Sequence, residues 1–310
     1  IKLKMKAIKH IKIKKGMKAS ELVKEMGESR VMGAGNIAKA AEIFEEMIKD
    51  KDCKVFLGLA GAMVPGGMRE IIIDMLKNKY VDVLVTTGAN LTHDLIEAIG
   101  ERHYIGEENA NDAELNKKGI DRMYNSYMKN SVYTKLEKFF IKHWEEISKC
   151  KTIKELLWEL GELVGDKNSI LKICFEKKIP IFCPALADSA IGLMIWGRKA
   201  SGKKIFIDAF EDMNEIIDIA WTAKKSGVIY ICGGVPKNFI QQSLQFTKGA
   251  AYGIQITTDR PEPGGSSGAP LKEGISWGKM NENARYVDVF CDATIALPLI
   301  YSAVKDKIEK

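Results

Sequence analysis

The chain has 310 residues, of which 46% are hydrophobic and 28% are charged, and its formal net charge is +6. This is the composition of an ordinary globular protein, and it excludes a disordered or fibrous chain. No apolar run approaches the ~20 residues that span a bilayer and no secretory signal opens the sequence, so we expect a soluble, cytoplasmic protein with no membrane partner.

The N-terminal segment, about residues 1–30, is strongly basic, with eight lysines between Lys2 and Lys18. Its first residues alternate between apolar side chains and lysine, which is typical of a half-exposed strand or an extended arm. Such a segment attracts acidic partners or keeps an edge soluble. Because few aromatic residues and no arginine accompany these lysines, we predict no nucleic-acid partner. We expect residues 1–310 to form a single α/β domain that carries this segment.

Cysteine and histidine usage indicates neither a metal site nor a redox pair. The six cysteines show no C-x-x-C spacing, and only four histidines are present. Most of the cysteines lie in apolar runs, as expected of small buried residues in a reducing cytosol.

The first periodic segments predict two helices, Glu21–Met26 and Asn36–Lys49. Between them, residues 33–38 match the pattern G-x-G-x-x-A. A dinucleotide-binding fingerprint requires a strand directly before its first glycine, and residues 27–30 are not strand-like. We therefore interpret the match as a helix entry.

The next segment predicts a βαβα unit with a small-residue loop after each strand. Its elements are strands at 54–59 and 81–85, helices at 68–78 and 91–99, and loops at 60–67 and 86–90. Glycine and alanine let a ligand approach the backbone, and helix N-termini favour anionic groups such as a pyrophosphate. Ligands of open parallel sheets bind at this carboxyl edge.

The rest of the chain continues the α/β alternation after a long segment, 104–158, that we predict to be helical. Strands are predicted at 180–184, 204–207, 228–232, 252–257 and 287–290, and helices at 212–223, 239–246 and 297–308. This alternation predicts a doubly wound, mostly parallel sheet with helices on both faces. Residues at strand carboxyl ends would then converge on one crevice: Thr87, Asp188, Gly233, Thr258 and Asp292.

One lysine is a candidate nucleophile. Lys279 lies between a glycine-, proline- and serine-rich run (259–274) and the strand-like run 285–291, with Trp277 two residues before it. A free lysine amine, with a pKa of about 10.4, is almost fully charged at neutral pH, and burial beside an aromatic ring would favour its nucleophilic form. On spacing alone, a solvated surface lysine explains the position equally well.

Four motifs together give the chain a resemblance to the deoxyhypusine synthase family. They are T-G-A-N-L-T-H-D-L (87–95), C-P-A-L (183–186), G-G-V-P-K-N-F (233–239) and E-G-I-S-W-G-K (273–279). The resemblance runs in collinear order from about Met32 to the C-terminus and is closest to the prokaryotic branch. The S-W-G-K stretch is its most specific part.

This resemblance implies a Rossmann-like fold that binds NAD and a reaction between two partners. In that reaction the aminobutyl group of spermidine passes to Lys279 as an imine, and then to a lysine of the translation factor 5A precursor. It also implies a homotetramer with active sites shared between subunits.

The same resemblance implies roles for individual residues. Lys279 is the catalytic lysine, and Asn238 occupies the position of a second catalytic residue. Residues at substrate-binding positions are His93, Ser266, Glu273 and Trp277. Residues at NAD-binding positions are Thr87, Gly88, Ala89, Asp188, Gly233, Thr258, Ser267 and Asp292.

The chain departs from the eukaryotic pattern near the polyamine. Asn238 replaces a histidine, Leu193 and Ser266 replace aspartates, and His93 replaces a glutamate. An amide does not titrate near neutral pH, so Asn238 can only orient a group or donate a hydrogen bond. These departures leave two alternatives open: aminobutyl transfer to a small amine, as in homospermidine-forming relatives, and a non-catalytic NAD-binding protein.

Overall fold

A parallel sheet of six strands forms the centre of the computed structural model, which describes residues 6–308. Its strands lie in the order β6-β2-β1-β7-β8-β9, and every neighbouring pair is parallel. Their bounds are β1 Cys53–Leu59, β2 Val83–Thr86, β6 Ile181–Phe182, β7 Lys225–Ile231, β8 Ala250–Thr257 and β9 Met280–Phe290.

Helices cover both faces of this sheet. They are α1 Ala19–Ser29, α2 Met32–Lys49, α3 Arg69–Lys77, α4 Gly88–Ala98, α5 Asp112–Lys117, α6 Ser131–Lys142, α7 Trp144–Ile147, α8 Ile153–Leu163, α9 Ile170–Lys177, α10 Ala190–Ala200, α11 Ala209–Thr222, α12 Gly234–Leu244, α13 Glu273–Ser276 and α14 Ala293–Ile308. Within residues 6–308, none is long and apolar enough to cross a membrane.

Alternation along the strands divides the core into two layers. Phe56 and Tyr230 belong to a cluster with α11 and α12, whereas Leu57 and Ile229 belong to a larger cluster with α2 and α14. Successive side chains of a strand point to opposite faces, so a sheet buried on both faces needs a continuous apolar run. The predicted doubly wound α/β fold is confirmed, and the assignment of 1–310 to one domain stays a prediction.

Two predictions for the middle of the chain were wrong. Within the segment predicted to be helical, a small antiparallel sheet forms from β3 Tyr104–Ile105, β4 Ile120–Met123 and β5 Ser126–Lys129, in the order β3-β5-β4. The turn between β4 and β5 has Tyr124 at φ 53, the left-handed conformation that tight hairpins require.

Residues 204–207 form no strand, and Phe206 is 81% exposed. The three apolar residues of this run have no ladder partner. Asp208, which follows them, instead caps α11 by accepting a hydrogen bond from the Phe210 backbone at 2.9 Å.

The N-terminal region shows where the lysines and the glycine motif lie. Residues 6–18 have no helix or strand, and the alternating residues 1–5 lie outside the described part of the chain. Gly33 and Gly35 lie inside α2, after a loop rather than a strand, so the G-x-G-x-x-A match is not a nucleotide fingerprint.

Candidate active site

The carboxyl ends of the six strands lie along one edge of the sheet. The strand order changes direction between β1 and β7, because β2 and β6 are added on one side of β1 and the later strands on the other. The order β6-β2-β1-β7-β8-β9 places β2 on one side of β1 and β7 on the other. Loops that leave two such neighbouring strands in opposite directions open a crevice between them, and doubly wound sheets bind their ligands there. The loops after β1 and β7 line this crevice.

Hydrogen bonds tie the loop after β1 to the start of α4. The Asn90 side-chain amide donates to the carbonyl oxygen of Gly61 at 2.9 Å, and the Thr87 hydroxyl caps α4 by accepting from the Asn90 backbone at 3.3 Å. Gly61 has φ +69, and a Cβ there would lie 2.7 Å from the sulfur of Cys232 in the loop after β7. The three loops are therefore fixed relative to one another.

Two glycines predicted to bind the cofactor are sites of close approach between neighbouring loops. A Cβ on Gly88 would lie 2.5 Å from Cβ of Ser189, and a Cβ on Gly233 would overlap the backbone of Ser267. Gly88 therefore packs against the loop after β6, and Gly233 packs against Ser267 in the loop after β8, both at the carboxyl edge. Thr258, which follows β8, Asp292, which follows β9, and Asp188, in the loop after β6, are exposed at the same edge.

The backbone at this edge is open to an anionic ligand. The helices α4 and α12 both begin directly after a strand, so their N-terminal N–H groups face the crevice. Ala89 is exposed, and open space surrounds Cα of Gly234, which has φ +62. A diphosphate could approach both backbones without meeting a side chain.

Two other predicted site residues lie nearby, Asn238 on the helix after β7 and Ser266 in the loop after β8. Asn238 is exposed in the first turns of α12. The Ser266 hydroxyl donates to the carbonyl oxygen of Gly234 at 3.3 Å, so the loop after β8 contacts the N-terminus of α12.

The predicted catalytic lysine lies at the opposite edge of the sheet. Lys279 directly precedes β9, and its carbonyl oxygen accepts a hydrogen bond from Ala250, the first residue of β8, at 3.1 Å. Its Nζ lies 4.9 Å from the ring centroid of Trp277, which is 57% exposed. Glu273 begins the short helix α13 that leads into this turn.

The backbone of Lys279 therefore lies at the edge of the sheet opposite the crevice. The eight residues of β8 separate the two edges, and at about 3.3 Å per residue the separation is roughly 23 Å. A lysine side chain is far shorter than this distance.

A second lysine, which sequence reasoning missed, holds the long loop in place. The Nζ of Lys237 donates to the carbonyl oxygens of Ser266 and Ala269, both at 2.6 Å, and the residue is 1% exposed. Burial lowers the pKa of Lys237 to about 8, against the opposing effects of Asp288 and Glu273. Because its amine is enclosed and donates to two carbonyl oxygens, Lys237 is a clamp on the loop rather than a nucleophile.

Other polar side chains complete this clamp. The Gln255 side-chain amide donates to Ala269 at 3.0 Å, and the Asp288 carboxylate accepts from the backbone of Leu271 at 3.1 Å. Lysine within G-G-V-P-K-N-F was visible in the sequence, but only the fold shows that it faces the loop after β8.

His93 lies on α4, one turn beyond Ala89, and is only partly exposed. Its ring contacts His103, and His103 contacts Glu97. The sequence pattern singled out neither of these neighbours, because the contacts depend on how the chain returns after α4.

Comparison with known proteins gives a consistent result. Residues 21–304 match the family model described as deoxyhypusine synthase. "Probable deoxyhypusine synthase 1" of Methanosarcina acetivorans is 46% identical over 305 residues, which cover 98% of this chain and 96% of the relative. The protein of the same name from Archaeoglobus fulgidus is 42% identical over 295 residues, 95% of this chain and 96% of its own.

A solved structure shares the fold. It is the crystal structure described as a "putative deoxyhypusine synthase" from Entamoeba histolytica, with a TM-score of 0.65 and 22% identity. The alignment covers 96% of this chain and 97% of that one.

Proposed function

Because the chain belongs to the deoxyhypusine synthase family, a family of transferases, we propose that it transfers the aminobutyl group of spermidine to a lysine of the translation factor 5A precursor. The observation that carries this proposal is the match over residues 21–304, which includes the S-W-G-K stretch with Lys279. We place the reaction in the cytoplasm, where translation factors act.

The proposed cofactor is NAD, held in the crevice at the carboxyl edge. The backbone of Thr87, Gly88 and Ala89 would face its phosphates, with Gly233 and Ser267 on the other side. Thr258 and the carboxylates of Asp188 and Asp292 are exposed at this edge to meet its hydroxyl groups. When bound, NAD supplies the acceptor and later the donor of one hydride.

Lys279 carries the four-carbon group between substrate and product. Loss of a hydride and a proton from spermidine gives an imine, and Nζ of Lys279 attacks the imine carbon. The carbon–nitrogen bond to the diaminopropane portion breaks, and that amine leaves. The target lysine then displaces Lys279 in the same way, and a hydride and a proton reduce the final imine to an amine.

Neighbouring side chains suit a cationic substrate. The Trp277 ring already faces the ammonium group of Lys279, and the Glu273 carboxylate lies on the preceding helix. Ser266, Asn238 and His93 would contact the polyamine from the opposite edge. Asn238 can orient the amine but cannot take up its proton.

We further propose a homotetramer in which Lys279 of one copy meets the crevice of another. The separation of roughly 23 Å along β8 within one chain supports a shared site. Large exposed apolar side chains also support association, because monomers rarely expose so many. They include Trp196, Phe206, Phe210, Trp221 and Trp277, all between 57% and 83% exposed.

The decisive experiment follows label from spermidine. The protein is incubated with NAD, spermidine labelled in its aminobutyl group, and either the factor 5A precursor or putrescine. Label in the precursor supports the proposal, and label only in the small amine shows a homospermidine-type enzyme instead. Borohydride traps an imine on Lys279 if the protein is catalytic, and the absence of any adduct shows a protein that only binds NAD.

Sharing of the site is tested by mixing two inactive variants. Lys279→Ala removes the nucleophile, and Gly233→Val obstructs the crevice. Assemblies reformed from both should regain part of the wild-type activity, because some sites would combine an intact lysine with an intact crevice. A mixture as inactive as its parts contradicts sharing.

A further inference from the structure

Three side chains at the end of α4 form a continuous hydrogen-bonded chain. Nδ1 of His103 lies 2.7 Å from Oε1 of Glu97, and Nε2 of His103 lies 2.9 Å from Nδ1 of His93. Beyond Glu97, its second oxygen lies 3.5 Å from the guanidinium of Arg69. The two rings meet edge to face, with centroids 4.9 Å apart, which leaves their nitrogens aligned.

The positions of the protons in this hydrogen-bonded chain determine whether Nε2 of His93 accepts or donates a hydrogen bond. The Glu97 carboxylate accepts, so Nδ1 of His103 carries a proton. One proton lies between the two rings. When both rings are neutral, it resides on Nδ1 of His93, and Nε2 of His93 has a free lone pair. One further proton on the pair places a hydrogen on that Nε2, whichever ring carries the charge.

The environment favours the neutral form of His93. Burial lowers the pKa of His93 to about 4, and a charge on His103 lowers it further, against the attraction of Glu97. The side chain of His103 is only 7% exposed, whereas His93 is partly exposed in the same stripe of α4 as Ala89. The chain therefore leads from the protein interior toward the crevice side of α4.

We propose that Glu97 and His103 are positioning residues that fix His93 as a hydrogen-bond acceptor for a primary ammonium group of the polyamine. This inference rests on the proposed function and names the residues that orient the side chain facing the cation. The negative charge of Glu97 reaches the ammonium through two polarised hydrogen bonds. Asp94 and Asp166 also pair with Arg69, so with Glu97 three carboxylates surround one guanidinium. The net negative charge of this cluster favours a cation.

The first test reads the tautomer of His93 without any reaction. In protein labelled with ¹⁵N-histidine, long-range ¹H–¹⁵N spectra at pH 7.5 should show His93 protonated at Nδ1 and bare at Nε2. Histidine in water prefers the opposite tautomer, so the shift is diagnostic. An Nε2-protonated His93 overturns the proposal even if every variant fails to fold.

The second test measures spermidine binding to the NAD-loaded protein by calorimetry. His103→Phe should move His93 toward the Nε2-protonated form and weaken binding about tenfold, the usual loss for one hydrogen bond to a charged group. His103→Gln, whose carbonyl oxygen can still accept from Nδ1, should restore much of the affinity. The matched control is His143→Phe, since His143 packs on Phe139 away from α4.

The outcomes separate this inference from the proposed function. Wild-type protein that binds no polyamine defeats the proposed function and this inference with it. If His103→Phe binds spermidine as tightly as the wild-type protein does, only the proposed role of Glu97 and His103 is refuted. Binding should also weaken as the pH falls toward 4 and His93 gains a proton, in a cluster whose charged members are Glu97, Asp94, Asp166, Arg69 and Arg102. An affinity that does not change over this pH range contradicts the proposed role of Glu97 and His103.

Discussion

Replacing Lys237 with methionine should remove a specific pH dependence of stability. Lys237 has a pKa of about 8 in the folded chain, against an ordinary value of 10.5. Between these values the unfolded chain binds the proton more tightly than the folded chain, so the free energy of unfolding rises with pH. At neutral pH the buried, charged amine of Lys237 lowers the stability of the folded chain, and its deprotonation in alkaline solution removes this cost.

The size of the effect follows from the two pKa values. From pH 7 to pH 10 the linkage relation gives a gain of about 2.5 kcal/mol in the unfolding free energy, assigned to this one group. Lys237→Met lacks the titrating amine. It leaves the Ser266 carbonyl oxygen without its donor, at about 1–3 kcal/mol, whereas the Ala269 carbonyl oxygen keeps its hydrogen bond from the Gln255 side-chain amide. The variant should therefore lose stability relative to wild type, and lose more of it as the pH rises.

Urea denaturation of both proteins at pH 7, 8, 9 and 10 measures the difference. Subtraction removes the titration of all other groups, which the two chains share. Lys272→Met, at an exposed lysine, is the control and should track wild type at every pH. A difference between wild type and Lys237→Met that is constant from pH 7 to pH 10 would refute the assignment of a buried, charged Lys237.

Three further variants probe the site and its support. Lys279→Ala should abolish aminobutyl transfer. NAD binding, measured by fluorescence titration, should stay within about twofold of wild type, because the backbone of Lys279 lies at the edge of the sheet opposite the crevice. Transfer that persists would mean that another residue is the nucleophile. Gly233→Ala should weaken NAD binding at least about tenfold by displacing the loop after β8, whereas Gly33→Ala should leave it unchanged; equal effects would restore the helical glycine motif as a binding site. Arg69→Met, which removes the only cation that pairs with the fully buried Asp94 carboxylate among the described residues, should cost about 3–5 kcal/mol in thermal or urea unfolding. A loss below about 1 kcal/mol would show that the donors of Ser169, Ile170 and Leu171 satisfy this carboxylate without the guanidinium.

The sequence predicted the elements whose pattern is local. The strands before Ala60 and Thr87 are continuous apolar runs, and each is followed by small residues that mark a loop. Parallel order then places their ends on one edge without further information. The sequence did not predict the small antiparallel sheet, because its short, half-exposed strands carry no apolar periodicity.

The position of Lys279 could not be predicted in the same way. Its motif identifies the lysine, but the edge on which it lies depends on where β9 begins, and β9 starts five residues before the predicted run at Arg285. Likewise, the partners of His93 and the clamp at Lys237 arise from contacts between distant segments. Side-chain hydrogen bonds of this kind have no signature in spacing.

The strand order also determines when the fold can be completed during synthesis. β1 pairs with β7 along its whole length, from Cys53 opposite Lys225 to Leu59 opposite Ile231, and these partners are separated by 172 positions. At about 5–20 residues per second, a ribosome needs roughly 10–35 s to make the intervening chain. Throughout that interval one edge of a strand with five buried residues has no partner, which makes the nascent chain a natural client for chaperones that shield unpaired strands.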